Sequence, residues 1–409
     1  MKSPAGNIRK KNGRCQGRHT ASLYFLLAFG CAFPLSSPAL ADWSLVTADF
    51  STQPKLAIVE WNLKDSLAYT NDSGKVTSVA TRQIVSVTSD RKPAAADAAW
   101  VLTLRNGDTL IGSPAGMSDQ FLKFNAIDIG VLQLPFKVIA NLRAADDQTP
   151  APAGGAAEDV LALKNGDVVS GVFNSATATT VQMQLDTGNV NIDLARVSRL
   201  TLGGRAPVRT IPSLSAALAF INGSTLTTDS LHWTPEGVTV HDPSGQDIKL
   251  SPDQIISAEI LGARVVWLSQ LDPSRDQQVS LLSAPLPTRR NRNVMGDALQ
   301  VAHQKFDRGL GVHTQSTLVY DLDGSFSTLA LRCGLDDSAA PAGQAKPTII
   351  LDGKIIWTPK NQTMKAGEIS DPITLNITGG KKLELHADPG EKFDVLGRFD
   401  WLAPALTRP

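Results

Sequence analysis

Leu104-Arg105-Asn106-Gly107-Asp108 recurs as Leu163-Lys164-Asn165-Gly166-Asp167 and, in weaker form, as Phe220-Ile221-Asn222-Gly223-Ser224. Repeats at a spacing of nearly sixty residues mark a chain built from copies of one unit. Apolar strand patterns precede each copy: Trp100, Leu102 and Leu104; Leu161 and Leu163; Leu218 and Phe220. Asn-Gly between such runs predicts a hairpin of type I′, because both central residues of that turn need positive φ. The copies also end alike, in a glycine-containing turn and a last apolar strand, over Gly130 to Leu142, Gly188 to Leu202 and Gly245 to Ile260. An earlier ending, Gly74-Lys75-Val76 with Ile84-Val85-Ser86-Val87, fits the same template without the Asn-Gly opening.

About five short strands in each unit, with regular turn signals, predict an all-β protein. Small sheets hide their edges by curling, so the expected form is a tandem of small SH3-like or Sm-like barrels. The units fall at 99–143, 159–203 and 214–261, with a degenerate first copy at 42–90. One continuous stacked sheet is the alternative. The Ala/Pro/Gly/Asp-rich stretches 91–98 and 144–158 read as spacers and favour separate units. Asp108 and Asp167 follow the turns and read as polar hairpin flanks rather than ligands.

The chain of 409 residues holds 39 basic and 39 acidic side chains, with 42% hydrophobic residues. That balance is globular. The first 41 residues stand apart. Lys2, Arg9, Lys10, Lys11, Arg14 and Arg18 precede an apolar run, Ala21 to Phe33, and a small-residue end, Ala39-Leu40-Ala41. This is the pattern of a secretory signal, too short in its apolar part for a spanning helix. Removal after Ala41 leaves 33 basic against 39 acidic residues, a net charge of −6, and one cysteine, Cys333. The expected protein is exported, to the periplasm, cell surface or medium. It has no intrachain disulfide, and its acidic balance disfavours a nucleic-acid partner. No transmembrane segment is expected in the mature chain.

From about Gly262 the pattern changes to longer strands. Thr348-Ile349-Ile350-Leu351 and Lys354-Ile355-Ile356-Trp357 flank an Asp352-Gly353 turn, and Ile373, Leu375 and Ile377 alternate before Gly379-Gly380. This predicts a C-terminal β-sandwich of jelly-roll kind. Its landmarks are Trp267-Leu268-Ser269-Gln270-Leu271-Asp272-Pro273, Arg289-Arg290-Asn291-Arg292-Asn293-Val294, Arg308-Gly309-Leu310-Gly311-Val312-His313, Gly334-Leu335-Asp336-Asp337 and Asp400-Trp401. In order and spacing they resemble the NPCBM family over roughly 262–405. That module is appended to glycoside hydrolases, notably family 98, and also occurs in secreted proteins with no recognised enzyme domain. The segment Gly390 to Arg398 departs from the Asp-His-Ala approach that the family often has before its Asp-Trp.

The resemblance implies a β-sandwich that binds a polysaccharide or other glycan. Sugars present apolar C–H faces and hydroxyls, which call for an aromatic plane and planar hydrogen-bonding groups. The candidates are Asn291, Arg292, Asn293, His313 and Trp401; Trp267 and Trp357 sit in apolar strand patterns and read as core. Asp336 and Asp337 offer oxygen ligands of the sort calcium takes, against the plainer reading of a loop turn. No other cofactor is expected. The expected function is non-catalytic carbohydrate binding, with the repeats as spacer or docking modules. The alternative is a structural or protein-interaction component of the cell envelope. A glycoside hydrolase would need a scaffold of about 250 residues for its paired carboxylates, and the repeats leave no such block.

Overall fold

A computed structural model describes residues 43–71, 73–94, 96–118, 120–147, 158–177, 179–204, 212–280, 284–339, 341, 343–391 and 396–409. The expected signal, 1–41, lies outside the described residues. The described chain is all-β, with antiparallel sheets and 3₁₀ turns of three residues.

The second unit shows the repeated plan. Its strands are Trp100–Leu104, Thr109–Met117, Phe121–Ala126 and Gly130–Pro135, then a 3₁₀ turn and a last strand, Ile139–Ala144. The last strand returns to pair with the first, and the others follow as a meander. The units that begin at Trp43–Thr47, Asp159–Leu163 and Ser215–Phe220 follow the same plan. In the one that begins at Ser215 the long second strand is broken into Thr225–Thr228 and Leu231–Thr234. The fourth strand of each unit pairs only with the third, so strand pairing leaves each unit open.

The Asn-Gly hairpins stand where the sequence places them, but the turn differs from the expected type I′. Gly107 N–H donates to Leu104 O at 2.9 Å and Leu104 N–H to Asp108 O at 2.8 Å. Only the glycine is left-handed, with φ of 97°, 91° and 88° at Gly107, Gly166 and Gly223. This is a three-residue loop with a glycine bulge. Asn106 is used through its side chain: its Oδ1 takes the Asp108 N–H at 3.0 Å. The Asp352-Gly353 hairpin is left-handed at both residues, with φ of 48° and 78°, as a type I′ turn requires.

The units do not stand apart as the spacer composition suggested. Ile139–Ala144 pairs antiparallel with Val197–Thr201, Leu142 opposite Leu200, and joins the second and third units into a 10-stranded sheet. Ile84–Ser89 pairs with Ile255–Leu261, Val87 opposite Ala258, and joins the first and fourth into an 11-stranded sheet. Trp61 faces Trp233 across a further strand pair. One apolar core runs through all four units from Trp43 to Ala263. Within it Trp43 stands edge-on to Trp233 at 5.1 Å, and the Trp61 indole N–H donates to Thr81 Oγ1 at 3.0 Å.

Asp108, read as a polar flank, is a buried clamp between the second and fourth units. Its carboxylate accepts the Thr227 N–H at 2.7 Å and hydroxyl at 2.9 Å. Burial raises its pKa, against the pull of those donors. Nearby, Asn222 Nδ2 donates to Ile127 O at 2.6 Å and Ser224 Oγ accepts the Ile111 N–H at 3.0 Å.

The C-terminal part is a β-sandwich of two six-stranded sheets around its own core, which contains Val312, Leu318, Phe399 and Trp401. It docks on the first and fourth units. Val265 and Ala405 pack on Ala48 and Val85, with Trp267 alongside. Glu259 accepts from Gln270 Nε2 at 2.9 Å and pairs with Arg308. Arg264 Nη1 reaches Gln83 Oε1 at 3.2 Å.

Asp108→Ala leaves both half-buried Thr227 donors without this acceptor, so it is expected to destabilise the chain by about 1–3 kcal/mol. The equivalent Asp167→Ala, at an exposed turn, should stay within about 0.5 kcal/mol. Urea unfolding of both variants measures the contrast; equal effects would refute the clamp.

Candidate functional site

A sandwich leaves two flanks where the edge strands of its sheets face each other. The core runs out there, so the inward side chains of the edge strands decide whether a flank is sealed or open. The first sheet runs Arg289–Arg290, Gly309–His313, Arg398–Thr407, Thr328–Leu335, Ile373–Asn376. The second runs Arg275–Gln278, Ser316–Asp321, Lys382–Pro389, Gln344–Leu351, Lys354–Trp357. Both flanks are open clefts.

The first cleft, of about 520 Å³, lies between Lys354–Trp357 and Ile373–Asn376 and the loops that follow and precede them. Met364 and Ile373 form its buried floor. Half-buried Trp357 lies in its wall, and exposed Lys360, Asn361, Asp371 and Thr374 stand around it. Across the Asp352-Gly353 turn Leu351 pairs with Lys354 and Ile350 with Ile355, and a bulge at Ile356 then shifts the register so that Trp357 lies opposite Ile349 at the sheet edge. An aromatic ring beside an amide, an ammonium and a carboxylate can stack a sugar face and bond its hydroxyls.

The opposite cleft, of about 540 Å³, is polar. It is lined by Pro273, Asp276, Thr288, the arginines 289, 290 and 292, Leu310 and Tyr320. Arg290 is paired with Asp272. Thr288 Oγ1 donates to Asp276 Oδ1 at 2.9 Å, and Gln278 Nε2 reaches both at 2.8 Å. Burial pushes the Tyr320 phenol well above its usual range.

Between the flanks, on the outer face of the first sheet, lies a cluster of acids. Asp400 sits between Gly311 and Gly334 on the neighbouring strands. A Cβ at Gly311 would collide with Arg292 O, and one at Gly334 would lie 2.6 Å from Glu368 O. Those glycines let the covering loops press onto the sheet and bury Asp400 completely. Asp336 is its neighbour. Asp336 Oδ1 accepts from Asn293 Nδ2 at 3.0 Å, Ser338 N–H at 3.0 Å and the Ser338 hydroxyl, and its Oδ2 accepts the Gln300 N–H at 3.3 Å. Asp337 Oδ2 takes Gln300 Nε2 at 2.9 Å and the His303 N–H at 3.0 Å. Burial, then the Asp336 charge and contact, then Asp337, hold the Asp400 pKa well above the carboxylate range. Burial and the neighbouring acids thus favour the protonated form of Asp400.

Of the five residues expected to hold a sugar, only Arg292 reaches a cleft. Trp401 is buried between the sheets, edge-on to Phe399 at 5.1 Å, and has no face to offer. Its place on a central strand, not an edge, is the reason. Asn293 is buried and braces its loop, taking the Met295 and Asp297 N–H groups at 3.0 and 2.9 Å. Asn291 is a left-handed turn residue, φ 54°, whose Oδ1 takes the Gly309 N–H at 3.3 Å. The His313 Nδ1 lies 2.6 Å from Thr314 O, at the end of its strand. Both Asp336 oxygens and Asp337 Oδ2, the oxygens expected for calcium, accept N–H and O–H donors. Among the described residues no three His, Cys, Asp or Glu side chains are grouped to hold a metal ion. Trp357 was read as core and stands half open. The sequence signal was the polar run Thr358-Pro359-Lys360-Asn361 directly after it. Cys333 is buried as expected, and burial pushes its thiol up to about 12.

Comparison with known proteins places the NPCBM/NEW2 domain at residues 264–407. Over 90 residues, 22% of this chain, the sequence is 29% identical to the Renibacterium salmoninarum protein named "Putative endo-alpha-N-acetylgalactosaminidase". The match spans 6% of that relative's length. A solved structure of the CBM51 module from Clostridium perfringens GH95, in complex with methyl-galactose, is similar at 19% identity with a TM-score of 0.32. It is covered over 99% of its length by 35% of this chain. The tandem CBM51 modules of a Streptococcus pneumoniae family 98 glycoside hydrolase are similar at 11% identity and a TM-score of 0.32, covering 90% of this chain and 88% of theirs.

The Asp400 proton makes stability depend on pH. A folded-state pKa above the unfolded value near 4 contributes stability that is full below that value. It is lost as pH rises through the folded pKa. Asp400→Asn keeps a donor for Asp336 and removes the ionisation. Urea midpoints from pH 4 to 9 should therefore show the variant gaining on the wild type as pH rises. A gap that stays constant would refute the raised Asp400 pKa.

Proposed function

We propose that the chain is an exported, non-catalytic carbohydrate-binding protein whose NPCBM/NEW2 domain at residues 264–407 holds a glycan on the Trp357 flank. The domain match carries this reading. The cleft supplies a half-open indole and the polar side chains Lys360, Asn361, Asp371 and Thr374 within one concavity. Trp357 stacks the apolar face of a pyranose, Asn361 and Asp371 bond its hydroxyls, and the ligand is a neutral sugar of a polysaccharide. The basic, apolar and small-residue succession of 1–41 supports export. Among the described residues no helix is long and apolar enough to cross a membrane.

The non-catalytic part of this reading draws on where one close pair of acids lies. A glycosidase sets two carboxyl groups either side of a bound sugar. Asp336 and Asp400 are a close pair, but both are buried and line neither cleft. The N-terminal units are spacer or docking modules. Val168 and Val172 stand exposed on one strand of the third unit, which favours contact with an envelope protein there.

A glycan array or retention on immobilised polysaccharides is the test. Trp357→Ala and Asn361→Ala should each weaken binding about five- to tenfold, the range that a lost stacking or hydrogen-bonding contact supplies. Asn361 is exposed, so its variant stays folded. Retention on no glycan, or binding indifferent to both substitutions, would overturn the reading.

A further inference from the structure

Inward positions on a sandwich should be apolar, yet on the flank opposite Trp357 they are not. On the edge strand Arg275–Gln278, Gln278 pairs with Ser316 and Asp276 with Leu318. Ser316, Leu318 and Tyr320 form the buried face of the adjoining strand. Two of those three carry hydroxyls, and the edge residues that share their face are an amide and an acid. Tyr320 is 1% exposed, and its hydroxyl has no hydrogen-bond partner among the described residues. The same holds for the buried Gln278 Oε1. A buried polar atom left unpaired costs about 1–3 kcal/mol. Phenylalanine would fill the Tyr320 position without that cost. The phenol ends in the field of Arg290, Asp276 and Asp272, and Tyr320 lines the cleft.

We propose that this cleft is a second ligand site, which takes a sugar bearing a carboxylate, of the uronic or sialic acid type. The inference goes beyond the Trp357 site, since it adds a different ligand chemistry at the other flank. It rests on the glycan-binding reading of the sandwich only for the word sugar. Arg289, Arg290 and Arg292 supply the cationic wall. Arg290 is already paired with Asp272, and Arg289 spends its Nε on Val294 O at 3.1 Å. Exposed Arg292 presents its whole guanidinium fork, the shape that matches a carboxylate. Opposite stands Asp276, whose Oδ1 takes Thr288 and Gln278 and whose exposed carboxylate can accept a further hydroxyl donor through Oδ2. A bare sulfate brings none and would be repelled there. An acidic sugar meets both walls: its carboxylate on the arginines, its hydroxyls on Asp276 and on the unpaired oxygens of Tyr320 and Gln278.

The test is calorimetric titration of the full chain with trigalacturonate and with 3′-sialyllactose, at low and moderate salt, with inorganic sulfate as the bare anion. At least one of the two acidic sugars should bind, and more weakly as salt rises. Arg292→Gln should lower that affinity about tenfold or more, as expected for a charge-assisted hydrogen bond. Tyr320→Phe should also lower it, by about five- to tenfold, while the free variant unfolds at higher urea than wild type because an unpaired hydroxyl has gone. Trp357→Ala should leave it unchanged. Binding of neither acidic sugar, binding unmoved by both Arg292→Gln and Tyr320→Phe, or sulfate bound as tightly as the sugars would overturn the proposal. The Trp357 reading is judged separately by neutral glycans, so failure at one flank leaves the other standing.

Discussion

Unpaired strand edges govern this molecule. A small antiparallel unit that brings its last strand back beside its first leaves that last strand with a free row of N–H and C=O groups. Four such units cannot each expose one without inviting aggregation. The chain pairs them: last strand to last strand, second with third and first with fourth. The nesting follows from connectivity, because the second and third units are consecutive and the first and fourth enclose them. Once the edges are joined, the apolar faces behind them merge into one core. Asp108 and Asn222 then lock the two sheets together through turns that would otherwise only reverse the chain.

The sandwich treats its edges differently. Its sheets end in short strands of two to four residues, Arg289–Arg290, Arg275–Gln278, Ile373–Asn376 and Lys354–Trp357. Short edges are poor templates for further pairing, and they let the space between the sheets open to solvent on both flanks. The two openings are chemically unlike. One has an indole above an apolar floor; the other has guanidinium groups, an acid and a buried phenol. A single architecture thus gives two clefts of unlike chemistry by the choice of inward residues at its margins.

The acids that most resemble a reaction centre serve the fold. Asp400 is buried because glycines on both neighbouring strands admit the covering loops, and Asp336 and Asp337 staple those loops through N–H and O–H donors. A carboxyl buried beside other acids is pushed toward its protonated form. This explains why the Asp-Trp near the end is a structural landmark: Asp400 anchors the outer layer and Trp401 fills the inner one, on opposite faces of one strand.

The sequence alone determined what is local or periodic. Alternation declared strands, Asn-Gly and Asp-Gly placed the hairpins, and spacing revealed the repeats, because each depends on residues close in the chain. The turn type at Asn106 escaped, since the same dipeptide serves a glycine bulge as well as a type I′ turn. The order of motifs after Gly262 was enough to recognise the sandwich. Tertiary structure alone decided which strands became edges. That choice paired the units, closed Trp401 into a central strand and left Trp357 at a rim. Both tryptophans sit in β patterns, and only the polar run Thr358-Pro359-Lys360-Asn361 after Trp357 hints locally at the difference. Whether an aromatic plane is core or open surface is set by the strand that lies beside it, and strand order comes from contacts between segments far apart in sequence.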